Sequence, residues 1–174
     1  VTRTGRSTFH HTYDDLAVQA LRFMARTGGS QAVLEFARWQ VAELETRYRP
    51  LMTGPTVTDR ARALADALSA DGYAASSRPA PLGTGQQMCQ HHCPVADVAA
   101  EFPQLCEAET EVIARLLGTH VQRLATIAHG DDVCTTHVPT RQPAGAAPPY
   151  PPVHLPRRHV LTEHASADGE GLTS

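Results

Sequence analysis

No apolar run in this sequence approaches the roughly 20 residues that a membrane-spanning helix needs, so no membrane span is expected. The opening VTRTGRSTFHHTYDD lacks the basic, apolar, small-residue layout of a secretory signal, and the expected compartment is the cytoplasm. Cysteine is scarce. Four residues in 174 are too few for the disulfide framework of a small secreted domain. Excess positive charge is absent as well: a formal net charge of −3 gives the chain no general attraction for nucleic acid. That argues against DNA binding by this stretch alone, though not by a longer parent chain. There is no nucleophile elbow, no Gly-rich phosphate loop and no His-Glu-x-x-His pair. No internal repeat is visible. A hydrophobic content of 41% still allows one ordinary globular domain, or two small ones with a tail.

The scarce cysteines are gathered. Cys89, Cys93 and Cys106 lie among His91, His92 and His120, and Cys134 follows shortly after. Local patterns set the scaffold around them. VTRTGR alternates β-branched and polar residues and predicts a short strand. YDDLAVQALRFMARTGG predicts a helix, with Leu16, Ala20 and Phe23 at helical spacing and Gly28-Gly29 as its end. Ser30 caps a second helix to about Tyr48. Its seam of Leu34, Ala37, Val41, Leu44, Tyr48 and Leu51 steps by threes and fours, and packs either inside its own domain or against a second copy. TVTDRARALADALSADG predicts a third helix with a Thr cap and Gly72 as its stop.

After Gly72 the period changes. YAASSRPAP and QQMCQHHC read as extended segments joined through LGTG. EFPQLCEAETEVIARLLG is the clearest helix, with Pro103 in its first turn and Gly118 at its end. HVQRLATIA and VCTTHV read as two strands about an HGDD turn. The class expected is α+β: a helical segment, then a small ββαββ domain. From Pro139 onward Pro, Ala, Gly and Ser dominate, which predicts a disordered tail.

Cys93, Cys106 and Cys134 are each expected at or near the end of a regular element. Cys106, in the first turn of the strong helix, meets amides and a dipole that favour a thiolate. Three thiolates at one sheet edge repel each other unless a cation compensates them, and a soft metal or a cluster does that. Structural zinc usually takes paired C-x2-C or C-x4-C knuckles. Only Cys89-x3-Cys93 comes near one, and long single-cysteine intervals suit an iron–sulfur cluster better. Alternation along QQMCQHHC puts Cys89, His91 and Cys93 on one face.

The stretch CPVADVAAEFPQLCEAETEVIARLLGTHVQRLATIAHGDDVCTTHVP resembles the C-terminal sensor domain of SufR-type transcriptional repressors, especially the actinobacterial branch. The Cys-x12-Cys pattern carries the likeness, and the preceding helices fit more loosely. The resemblance implies an iron–sulfur cluster, [4Fe-4S] or [2Fe-2S], held by Cys93, Cys106 and Cys134 in a homodimer that represses iron–sulfur assembly genes. His120 stands where cyanobacterial members carry a further cysteine, which makes it the first candidate for a fourth ligand. Cys89 and His91 are the alternatives. The resemblance also implies a winged helix-turn-helix upstream of Val1 that contacts operator DNA. Residues 1–9 then form the remnant of a wing, 10–72 a helical linker and dimerisation region, 73–138 the sensor domain and 139–174 the tail.

Arg115 and Arg123 read as surface charges or neighbours of the metal site rather than phosphate contacts. His10, His11, His129 and His137 read as ordinary polar residues, and His154, His159 and His164 in the tail as at most adventitious metal binders. Two rival readings remain: a zinc-stabilised interaction domain, and a redox or hydrolytic enzyme pairing Cys134 with His137.

Overall fold

The computed structural model describes the backbone of residues 3–140 and the side chains of residues 13–140. The tail expected over 139–174 lies outside the described residues, except that Pro139 ends a strand and Thr140 follows it. Helix α1 runs Arg3–Tyr48, broken at Gly29, whose φ of 71° and ψ of −177° belong to a region essentially reserved for glycine. The two predicted helices are thus present, meeting at one residue rather than across a loop. The short strand expected over 1–6 is replaced by helix from Arg3 onward. Helix propagation from the strong Asp14–Arg26 segment outweighs the weak β preference of scattered threonines, because each added residue gains a hydrogen bond without a new nucleation cost.

Helix α2 (Val57–Ala70) opens on a capping box: Thr56 Oγ1 accepts from the Asp59 amide at 3.1 Å, and Asp59 Oδ2 accepts from the Thr56 amide at 3.3 Å. Strands β1 (Ala75–Pro79) and β2 (Gly85–Gln90) form a hairpin. Helices α3 (Ala96–Glu101) and α4 (Gln104–Leu117) follow, then β3 (Gln122–Ala125) and β4 (Cys134–Pro139). The four strands make one antiparallel sheet in the order β1-β2-β4-β3. The mixed helix-and-sheet class agrees with expectation. Between the strand pairs, however, lie two helices where one was expected. The six residues of α3 are too few for their apolar spacing to declare a helix, and its N-cap Val95 makes no side-chain cap bond.

Residues opposite one another in an antiparallel ladder share a face. Register therefore puts Met88, Gln90, Cys134, Thr136 and Val138 on one face, with Arg123 beside Thr136. Met88 and Val138 join Leu64, Leu68, Val112, Ile113 and Leu117 in the core, so this is the face packed against α2 and α4. Arg60 of α2 donates through Nε and Nη2 to the Leu117 carbonyl at 3.0 and 2.9 Å, occupying an acceptor that the end of α4 leaves open.

The second half of α1 packs on α4. Ala37, Val41 and Tyr48 of the expected seam are buried within the chain, Leu34 and Leu44 are half-buried, and Leu51 is exposed. Ion pairs reinforce this contact. Arg38 grips Glu111 through two bonds of 3.0 and 2.8 Å, and Arg115 donates to Glu45 at 3.0 and 2.9 Å. Arg115 is only 6% exposed in its side chain, so it is a buried interhelical charge and not a surface one. Ahead of the break, Arg22 holds Glu101 of α3 at 2.6 and 2.7 Å. Among the described residues no helix is long and apolar enough to cross a membrane.

Candidate metal centre

Three elements bring three cysteines toward one another. Strand β2 ends at Gln90, so the alternation expected to carry through Cys93 stops there, and the chain turns through His91–Cys93 before α3. Cys106 is the third residue of α4. Cys134 opens β4, directly across from Gln90. Cys106 feels the charge of Cys93 and Cys134, and Cys93 that of Cys134, with Glu109 and Arg123 acting on both.

Two of the sulfurs are already accepting hydrogen bonds. Cys134 Sγ accepts from the Ile127 amide at 3.3 Å, and Cys93 Sγ accepts from the Val95 amide. The first bond depends on the irregular end of β3: a register shift between Arg123 and Ala125 leads into a tight turn over Ile127–His129. That turn is held by Asp131 Oδ2, which accepts from the Thr126 amide at 2.9 Å, and by Thr126 Oγ1 with His129 Nδ1 at 2.6 Å.

A buried polar network closes the other side. Arg123 donates through Nη2 to Glu109 Oε2 at 2.7 Å, through Nη1 to Gln90 Oε1 at 3.0 Å and through Nε to Thr110 Oγ1 at 3.3 Å. Gln90 Nε2 completes the ring by donating to Glu109 Oε1 at 3.1 Å. Beside it opens a cleft of about 620 Å³, lined by Cys106, Glu107, Thr110, Arg123, His129 and Asp131 among others.

The expectation that Cys106 favours its thiolate is overturned. Its thiol is pushed up to about 11, by burial first and by the Glu109 carboxylate next, with Arg123 pulling the other way. Burial likewise raises Cys93, against the Val95 amide. The helix N-terminus is outweighed because desolvation penalises the charged form wherever the amides point. At neutral pH these two thiols are therefore protonated, and a metal entering here must displace their protons.

The remaining candidates are set apart. His120 lies beyond Gly118, at the opposite end of α4 from Cys106, roughly 18 Å along the axis at 1.5 Å per residue. Its side chain is exposed. Cys89 pairs with Thr135, on the other face of the sheet from Cys134. His91 is exposed just past β2, its amide bonded to the Ala74 carbonyl at 3.2 Å. His137 is an odd number of residues from Cys134 on one strand, so the two point to opposite faces, and His137 Nε2 lies 3.2 Å from Thr84 Oγ1.

The donor chemistry fits a soft metal or cluster: three thiols from three elements, amide donors to two sulfurs, and one arginine beside the negative groups. Among the described residues no three His, Cys, Asp or Glu side chains stand close enough to share a single ion. The sequence reading missed Gln90 and Glu109. Glu109 had a usable signal, one helical turn beyond Cys106, whereas Gln90 had none before the β2–β4 register was known. Compared with known proteins, the chain matches no family model, no curated protein and no solved structure.

Proposed function

We propose that this chain is the sensor part of a SufR-type repressor of iron–sulfur assembly genes, with Cys93, Cys106 and Cys134 as cluster ligands. The carrying observation is that those three thiols, from the turn after β2, the first turn of α4 and the start of β4, lie within electrostatic reach of one another and of the Gln90–Glu109–Arg123 network. The sequence resemblance supports the same three residues. A bound cluster supplies a cross-link among the three elements that is lost to oxidants or iron shortage.

The chain's own residues do the rest. Val95 and Ile127 amides stabilise negative charge on sulfur, and Arg123 offsets part of it. Helix α4, which carries Cys106, is tied to α1 by Arg38–Glu111 and Arg115–Glu45, and α3 is tied to α1 by Arg22–Glu101. A change in order at the thiols thereby reaches α1 and, through it, a DNA-reading domain upstream. With the cluster the parent protein represses; without it, repression is released.

Iron, acid-labile sulfide and zinc measured on anaerobically prepared protein test this reading. Iron and sulfide in matching amounts are expected, with visible absorption, and each of Cys93→Ser, Cys106→Ser and Cys134→Ser should abolish them. Zinc without sulfide would overturn the sensor reading in favour of a zinc-stabilised interaction domain.

The homodimer of this reading uses a different helix face from the seam at Val41, which the chain buries itself. Tyr13, Leu16 and Phe23 on the first half of α1 are 73%, 65% and 60% exposed, and with exposed Ala20 they step by three, four and three residues. Each such side chain gains about 1.5–3 kcal/mol on full burial. Leu16→Glu combined with Phe23→Glu is expected to convert a dimer to a monomer in light scattering, with the melting of the sheet domain unchanged. A variant that stays dimeric sinks the assignment.

A further inference from the structure

Three thiolates leave room for one more protein ligand, and the candidates drawn from sequence are at the far end of α4, on the other face of the sheet, or exposed beyond β2. Glu109 stands where they do not. It follows Cys106 by one turn of α4, a spacing that puts two side chains on one helix face with Cβ atoms about 5–6 Å apart. Its Oε1 accepts from Gln90 Nε2 at 3.1 Å, and Gln90 is the residue directly opposite Cys134 across β2 and β4. Directly opposed residues have Cβ atoms about 4.5–5.5 Å apart. Glu109 thus sits between the cysteine of the helix and the cysteine of the sheet, and its side chain is 18% exposed.

We propose that Glu109 is the fourth protein ligand of the metal centre, with Arg123 and Gln90 orienting its carboxylate. The proposal rests on the cluster reading of Cys93, Cys106 and Cys134. Each carboxylate oxygen has two lone pairs, and the bonds from Arg123 Nη2 and Gln90 Nε2 occupy one on each. Both oxygens therefore keep a lone pair for a metal without either donor leaving. Ligating carboxylates are commonly hydrogen-bonded in this way by residues behind them.

The chemistry has a consequence for sensing. A hard carboxylate oxygen matches iron less well than a soft thiolate does, so the iron it holds is the one most open to chelators and oxidants. Arg123 then acts as a positioning residue. It holds the carboxylate in line and contributes the positive charge nearest the ligand set.

Mössbauer spectra of the full chain, reconstituted anaerobically with ⁵⁷Fe, test the assignment on wild type, Glu109→Gln, Glu109→Cys, Arg123→Met and His129→Gln. Circular dichroism checks that each variant folds. Wild type should show an oxygen-bound iron distinct from the thiolate-bound ones. That signal should vanish in Glu109→Cys, whose cluster should outlast the wild-type one severalfold under a chelator. Arg123→Met should keep the distinct iron and hold it about 10-fold more weakly. A distinct iron unchanged in both Glu109 variants, or lost only in His129→Gln, overturns the ligand assignment while leaving the three-cysteine reading intact. Failure of the wild type to take up iron and sulfide would remove that reading, and Glu109 as a ligand with it.

Discussion

Arg115→Ala is expected to cost the metal-free fold about 3 kcal/mol, measured by urea unfolding. The guanidinium is 6% exposed and sits between Glu45 and Glu111, whose side chains are 13% and 15% exposed. Removing it leaves two largely desolvated carboxylates facing the α1–α4 contact, and that uncompensated burial is the main part of the loss. The estimate stays at the lower end of the range for broken buried pairs because each carboxylate keeps a second arginine. Arg38 remains on Glu111 at 2.8 Å, and Arg49 remains on Glu45. Arg115→Lys should fall between wild type and Ala, since a lysine keeps the charge and loses the two-nitrogen grip on Glu45. A loss below about 1 kcal/mol would mean that these pairs behave as surface ion pairs do, and the proposed link from α4 to α1 would lose its basis.

Gly85→Ala should be comparably damaging, by a different route. Gly85 has a φ of 150°, and a Cβ added there would stand 2.2 Å from the Val138 carbonyl oxygen and 3.0 Å from Pro139 Cα. Those are backbone atoms of the paired strand, so no rotamer relieves the clash. β2 and β4 must separate at that end, at a cost of about 3 kcal/mol. Gly83→Ala is the matched control, with φ of 66° and nothing within 4 Å of the added carbon. It should cost about 1 kcal/mol in backbone strain alone. Gly85 lies at the other end of β2 from Gln90, roughly 17 Å away. Metal uptake by folded Gly85→Ala should therefore match wild type. Equal costs for the two glycine substitutions would sink the close-approach argument.

How much of this was legible beforehand depends on how local each cause is. The Thr56 cap, the apolar stripe of α2, Pro103 and Gly118 bounding α4, and Gly29 breaking α1 all act within a turn of the chain. Their signals therefore survive in sequence. Helix α3 left none, because six residues without a cap bond carry too little periodicity. The cysteine cluster was visible as composition, but its internal arrangement was not. Alternation assigned Cys89 and Cys93 to one face, and the end of β2 at Gln90 breaks that alternation. The helix dipole argued for a thiolate at Cys106. Burial reversed it, and burial is a property of what packs over the residue.

The sequence by itself determined the long helices and the segments that become strands after Gly72, the break in α1, and that three soft donors come from three separate stretches of chain. Those are consequences of backbone preference and short-range spacing. Only the tertiary structure decided that Val41 faces α4 inside the chain, that Arg115 is a buried clamp, and that His120 and Cys106 occupy opposite ends of one helix. It alone joined Glu109 to Gln90 and Arg123 beside Cys134. These outcomes depend on strand register and helix docking, which couple residues far apart in the chain.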